Sequence, residues 1–532
     1  MFENTLESLY PRLLTQACRD VTSPFYGCFD RNWWHYRIRD FPSVMLQQGG
    51  YTAYLCSGVD RFTEHGQELR ELAHASALFW NRRAAKRGAF EEYYPWERGY
   101  PPLAFSTLAM AKLVLEEVVY FEEIAKGLHK AARQLQRRFE RQAGNQQVAG
   151  LAALAVIRKI RPALVNQQKF DRLKQKTLAL QDEEGWFTEY DGPDLGYLSV
   201  TLDCLWDLYD VTGDRDYLVS AEKAFDFLHG FVMRRGGGAG MLNARNTDYI
   251  VPYGICRFVE HADKGLQYKG RDLLTMLFSD TVSQDHFFSA IDDRYWSHYI
   301  GHSVVRSAQV LEKAGAGKRS QRKVSPGIVP EQDFSYEQAG YLFRDVGHKE
   351  TKLLVAVRKG GVFSVFNSSG TLLSDYGWVA RKGKKQYVNH WWSDSWKVEI
   401  SGNSLEVKGN LFPHREKVST PFLHFGLRVM SFLFGGLVTG LLRRILIFKD
   451  NGSSIRFSRR IDPAGDSIIV TDTIEDLGKK VILDRAPRAS KRHVASADAW
   501  HREDFRLRTT EKPMETIMRK DRTAVITTTI ML

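Results

Sequence analysis

Three groups of residues have the types and spacing to do chemistry. Tyr249, Tyr253 and Arg257 recur at every fourth position, which on a helix places them on one face. A tyrosine at its usual pKa of about 10 is a poor base at neutral pH. A guanidinium one turn away favours the phenolate and improves it. Pro252 predicts that the helix begins there and leaves Tyr249 in the entering loop. The alternative is a tyrosine stacked in a core with the arginine at its rim. His298 and His302 are also one turn apart. A zinc site would need further ligands, and neither an HExxH pattern nor a third ligand accompanies the pair, so no metal and no cofactor is expected. The two read as a base, as ligands for a carboxylate, or as ordinary half-buried histidines. His390, in Tyr387-Val-Asn-His-Trp-Trp392, is the third candidate; the alternative for it is a histidine in an edge strand.

Several loops mix charge with aromatic rings. Asp30-Arg-Asn-Trp-Trp34 offers Asn32 and Trp33. Tyr94-Pro-Trp-Glu-Arg-Gly-Tyr100 offers Trp96, Arg98 and Tyr100. Glu189, Asp194 and Tyr197 lie at a loop-to-helix junction, and Arg245 and Asn246 fall in Asn243-Ala-Arg-Asn-Thr-Asp-Tyr249. Arginine pairs a carboxylate and tryptophan stacks on a ring, so such loops suit an acidic sugar. Each also reads as a purely structural loop.

The elements that must position these residues change character along the chain. Up to about residue 315 the apolar spacing is helical: Glu64 to Lys86, Pro102 to Glu123, Tyr197 to Tyr209, Tyr249 to His261, Gly265 to Phe278 and Trp296 to Ala314. Gly213 closes one helix and Asp214 caps the next. Repeated antiparallel helix pairs predict a solenoid or a closed toroid. Residues 316–327 are polar with Gly and Pro and read as a linker. From 328 to 532 the period becomes two, with short strands at Leu353 to Val357, Gly361 to Asn367, Trp396 to Ile400, Ser404 to Lys408, Ile445 to Phe448, Ser454 to Ser458, Ser467 to Thr473 and Thr523 to Ile530. The fold class expected is α+β multidomain: helical hairpins, then an antiparallel β-sandwich interrupted by an apolar insertion at 420–442.

That order of domains resembles the heparinase II/III family of polysaccharide lyases across the whole chain, which implies that the hairpins close into an N-terminal (α/α) toroid. The stretches Phe25 to Asp40, Tyr94 to Tyr100, Glu189 to Tyr197 and Asn243 to Tyr249 resemble bacterial heparinase II/III-like proteins associated with surface-polysaccharide synthesis. The resemblance implies removal of the C5 proton of a uronic acid, with the carboxylate neutralised by Arg, Asn or His and a Tyr or His as base. It implies Tyr253 followed by Arg257 as the catalytic pair and His390 as a contribution from the sandwich. It also implies an upstream Asn or His at a position that falls near Tyr197 to Ser199, where neither stands.

Composition limits the partners. The net charge is +12, which attracts polyanions, but no nucleic-acid motif accompanies it. The basic run from Lys126 to Arg141 is broken by Glu140 and reads as a solvated helix face. Aromatics make up 12% of the residues, which suits either a sugar cleft or large cores. The cysteines number 5, without a CxxC, and read as reduced thiols. The N-terminus does not read as a secretion signal, so a cytoplasmic protein is expected, peripheral on an inner membrane. The stretch Phe432 to Leu442 is too short to span a bilayer. With His424, Arg428, Arg443 and Arg444 around it, it reads either as an interfacial segment or as internal packing. The expected partners are an acidic glycan or lipid-linked oligosaccharide and an anionic membrane surface; oligomeric state is not indicated. The expected activity is a C5-epimerase or a β-eliminating lyase. The competing class is a non-catalytic glycan-binding scaffold of a polysaccharide assembly complex.

Overall fold

A computed structural model describes residues 1–85, 89–247, 249–284, 286–314, 333–346, 351–367, 370–414, 420–438, 440–441, 452–478, 481–487 and 514–532. The expected linker at 316–327 and strand at 445–448 lie outside the described residues.

The helices are α1 (Glu3–Gln16), α2 (Arg31–Trp34), α3 (Gly49–Ser57), α4 (Gly66–Ala85), α5 (Tyr100–Leu115), α6 (Phe121–Leu135), α7 (Gly144–Ile160), α8 (Gln167–Leu178), α9 (Leu195–Thr212), α10 (Arg215–Arg235), α11 (Tyr253–Phe258), α12 (Lys264–Phe278), α13 (Phe287–Ala290), α14 (Tyr299–Lys313) and α15 (Pro421–Phe434). Most residues of α5, α7 and α9 are buried, as expected for helices enclosed on nearly all sides. In α6, by contrast, Ile124, Leu128, Ala131 and Leu135 form one apolar stripe. The enclosed helices are neighbours in the order α3, α5, α7, α9, α11 and α14, and α14 returns to α3. This closed inner ring is wrapped by α4, α6, α10 and α12, so the first half is a toroid.

Local chemistry explains where the helices differ from expectation. The run from Pro102 to Glu123 is two helices, not one. Glu117 takes a left-handed φ of 56°, and Tyr120 with Glu123 forms a reciprocal cap that starts α6. Between Tyr249 and His261 only Tyr253–Phe258 is helical, because Pro252 excludes an earlier start. At α9, Asp194 caps the start and Gly213, at φ 69°, ends it.

The strands are β1 (Phe334–Tyr336), β2 (Tyr341–Asp345), β3 (Lys352–Ala356), β4 (Val362–Asn367), β5 (Gly370–Asp375), β6 (Trp378–Lys382), β7 (Lys385–Val388), β8 (Lys397–Ser401), β9 (Ser404–Asn410), β10 (Phe412–His414), β11 (Arg456–Ala464), β12 (Ser467–Glu475), β13 (Ile482–Arg485), β14 (Met514–Lys520) and β15 (Thr523–Met531). They form antiparallel sheets ordered β1-β2-β3-β4-β5, β10-β7-β6-β13 and β14-β15-β12-β11-β9-β8.

The first sheet joins the two halves. Tyr341, Phe343, Leu354, Ala356, Val362 and Phe366 pack into the toroid's core. The alternating residues Leu342, Leu353, Val355, Phe363 and Val365 pack into the core of the sandwich. Both faces are covered, so these strands read as continuous apolar runs. Lys359, in the turn after β3, is buried and donates its ammonium to the carbonyls of Met241 (2.5 Å) and Asn243 (2.7 Å) and to the Asn246 side chain. Replacing Lys359 with Met leaves these acceptors unpaired. It is expected to cost about 1.5–3 kcal/mol, read as a lower urea midpoint; an unchanged midpoint would mean that the contact contributes nothing.

Candidate active site

The N-terminal ends of α5, α7, α9 and α14 and the loops before them line one mouth of the toroid. Aligned peptide dipoles make such ends favourable for negative charge. Tyr197 opens α9, Tyr299 opens α14, and Tyr249 sits in the loop before α11. The Tyr249 and Tyr299 hydroxyls are 2.7 Å apart, and the Tyr197 ring stands edge-on to Tyr249. Burial holds both bonded phenols well above their usual pKa.

Around this floor the chain places groups that the sequence did not single out. Arg294 donates to the Tyr295 hydroxyl at 3.0 Å and lies over the Tyr295 ring. Burial raises the Tyr295 phenol, and Arg294 pulls it down. Arg294 is exposed and forms no ion pair among the described residues. Its guanidinium thus faces solvent with charge to offer. Glu92 and the exposed Tyr93 lie within electrostatic reach of Tyr295. Burial, with the negative Glu97 beside it, pushes the Glu92 carboxyl up to about 8, which favours its protonated form. Glu97 is fixed by the backbone amides of Glu92 (2.9 Å) and Tyr93 (2.8 Å). His298 lies 5.1 Å from the Tyr295 ring, centre to centre. Burial and then the Arg294 charge push it down to about 3, so it is neutral. Phenol, cation, neutral imidazole and neutral carboxyl therefore converge on one mouth.

Tyr253, Arg257 and His302 lie deeper. Tyr299 and Arg306 are two helical turns apart on α14, about 10 Å along the axis, and Tyr253 belongs to the Arg306 level. Arg306 stacks on the Tyr253 ring at 3.4 Å, and Arg257 donates to its hydroxyl at 2.9 Å. Burial nevertheless keeps this phenol above its usual value. Asp207 bonds Lys112 and Arg306, each at 2.6 Å. Burial alone would raise Asp207, but these cations hold it low. Arg257 pairs with Asp210. Each of these cations therefore has a carboxylate partner already. His302, beside Tyr51, is pushed well below its usual pKa by burial and by Lys112.

The remaining residues named from sequence are dispersed. Trp33 packs against Phe25 and Phe79 on the outer wall, with Asn32 beside it. Tyr100 is buried and donates to Gln147 at 2.9 Å. Trp96, at φ 59°, meets Phe432 of α15. Exposed Arg98 lies beneath Gly435. Glu189 is buried, its carboxylate accepting from the Asn145 amide, and is raised well above its usual value by that burial. Asp194 accepts from the Tyr197 and Arg245 amides. Arg245 is buried over the Tyr190 ring, and Asn246 receives Lys359. His390 is buried in the sandwich, bonded to the Tyr376 carbonyl at 2.9 Å, and pushed down to about 3 by burial and by Lys359. Among the described residues no group of His, Cys, Asp and Glu is arranged to hold a metal.

A toroid of helices with antiparallel sheets packed on it defines the fold. The sequence matches no protein-family model and no curated protein. Among solved structures the chain is similar to the Streptomyces coelicolor A3 chondroitin AC lyase in complex with chondroitin sulphate, at 9% identity and a TM-score of 0.51, over 89% of this chain and 66% of that one. It also aligns with heparan sulfate lyase HepC from Pedobacter heparinus at 10% identity and a TM-score of 0.35, over 90% of this chain and 69% of that one. The chain thus spans about two thirds of the length of these proteins. The likeness is one of fold.

Proposed function

We propose that this protein cleaves an acidic glycan by β-elimination. The observation that carries the reading is the hydrogen-bonded Tyr295–Arg294 pair at the toroid mouth, with Glu92 within electrostatic reach of both. Arg294 receives the uronate carboxylate and makes the C5 proton more acidic. The Tyr295 phenolate takes that proton, and the C5 electron pair becomes the C4–C5 double bond as the C4–oxygen bond breaks. Glu92 gives its proton to the departing glycosidic oxygen, so charge and atoms balance. The same carboxyl would serve C5 epimerisation by reprotonating the opposite face of the carbanion. The elimination reading is favoured by the fold shared with the chondroitin AC lyase, and product analysis separates the two. The chondroitin sulphate held by the structural neighbour supports an acidic polysaccharide as substrate class.

The test is incubation with a panel of uronate polysaccharides in deuterated water. Elimination gives an unsaturated, ultraviolet-absorbing chain end. Deuterium at C5 without cleavage would replace the lyase reading with epimerisation. Neither product across the panel, with binding retained, would favour a glycan-binding scaffold.

A further inference from the structure

The helix α15 is amphipathic and turned inside out. At 100° per residue, Phe422, Leu423, Phe425, Met430, Leu433 and Phe434 share one broad arc, and His424, Arg428 and Ser431 lie opposite. It is the polar side that faces the protein. Ser431 is buried, and Arg428 pairs with Asp40 of the toroid. The apolar arc faces solvent: Phe422 is 88% exposed and Phe425 69%. A second segment extends the surface. The loop that ends at Asp40 exposes Ile38, at 74%, and Tyr36, at 55%, with Arg37 and His35 exposed between and beside them. Large apolar side chains this exposed, on α15 and on the loop tied to it through Asp40, mark an interaction surface.

We infer that α15 and the Tyr36–Ile38 loop dock this protein on an anionic membrane surface. Charge selects that occupant. The helix contains no acidic residue, Asp40 is neutralised by Arg428, and Arg37 stands exposed between Tyr36 and Ile38 on a chain of net charge +12. Basic groups beside an apolar arc suit a leaflet of negative headgroups. Geometry limits the depth. The helix is about 20 Å long, and no helix among the described residues is long and apolar enough to cross a membrane, so it lies in the interface. Trp96 contacts Phe432, so the docked helix is joined directly to the loop that carries Glu92 and Glu97.

Sedimentation with vesicles of equal parts phosphatidylglycerol and phosphatidylcholine tests this without any glycan, so its outcome is independent of the reaction assigned above. The wild type is expected to pellet at low salt, less at high salt, and little with phosphatidylcholine alone. Phe422→Asp with Phe425→Asp is expected to lower the partition at least about tenfold, while leaving the thermal unfolding curve unchanged, because both side chains are exposed. A wild type that stays in the supernatant, or a double variant that still pellets, overturns the inference. So does a wild-type dimer that the double variant converts to a monomer in the absence of vesicle binding, which would mean that a second copy covers the arc.

Discussion

Replacing Tyr295 with Phe is expected to lower elimination by about 10²–10⁴-fold, with substrate binding retained, because only the ionisable hydroxyl is lost. Arg294→Ala is expected to weaken both binding and turnover, since the guanidinium holds the carboxylate and also hydrogen-bonds the phenol. The pH dependence follows from the two protonation states required. The active form carries an ionised Tyr295 and a protonated Glu92. Burial keeps the phenol raised, whereas the carboxyl titrates at about 8. Below that pH both groups are protonated, and the active fraction rises about tenfold per pH unit as the phenol ionises. Above it, each gain in phenolate is offset by loss of the Glu92 proton, and the rate levels. A rate that peaks in the acid range and falls towards neutrality would sink the assignment. Glu92→Gln should abolish cleavage of sugar leaving groups but spare substrates with an aryloxide leaving group, which needs no proton. On those substrates the rise should continue past pH 8.

The largest effect on stability is expected inside the sandwich, at Arg459. Its guanidinium is fully buried and bonds both Asp472 oxygens at 2.7 and 2.8 Å, while Asp375 lies at 3.1 Å. Asp472 also accepts from the Trp378 indole at 2.7 Å, and Asp375 pairs with Arg485 at 2.6 Å. Arg459→Met removes one cation and strands a buried carboxylate, a change that costs about 3–5 kcal/mol. Calorimetry is expected to show the sandwich transition moving to much lower temperature. Replacing Arg459 and Asp472 together, by Met and Leu, is expected to recover much of the loss, because no unpaired charge then remains. A loss from the single variant within that of an ordinary surface substitution would mean that water reaches the site.

The contrast between helical and alternating periodicity is a local property of the chain, so it was legible without a structure. The helix from Leu195 to Thr212 is written in its cap at Asp194 and its stop at Gly213. The strands Ser467–Glu475 and Thr523–Met531 are written in their β-branched, period-two sequences, Ser-Ile-Ile-Val-Thr and Thr-Ala-Val-Ile-Thr, bounded by turn residues. Helical hairpins followed by a sandwich were legible in these patterns, whereas closure of the hairpins into a ring, α14 against α3, is a tertiary fact. The site was not legible. Tyr253 and Arg257 attract attention because they are four apart, but closure of the ring sets Arg306 and Asp207 against them from helices far away in sequence. That turns a plausible catalytic pair into a neutralised cluster deep in the toroid. Arg294 and Tyr295 are adjacent residues in a short turn, a spacing that carries no periodic signal. Glu92 is an ordinary glutamate until burial and Glu97 raise its carboxyl. Arg459, just past the strand expected at Ser454 to Ser458, carries no signal of burial until Asp472 and Asp375 enclose it. The sequence by itself determined which segments become helix or strand, because hydrogen bonding and side-chain period are local. Which charges meet, and which of them lose water, was decided only when ring and sandwich closed, because burial and charge pairing depend on segments far apart in the chain.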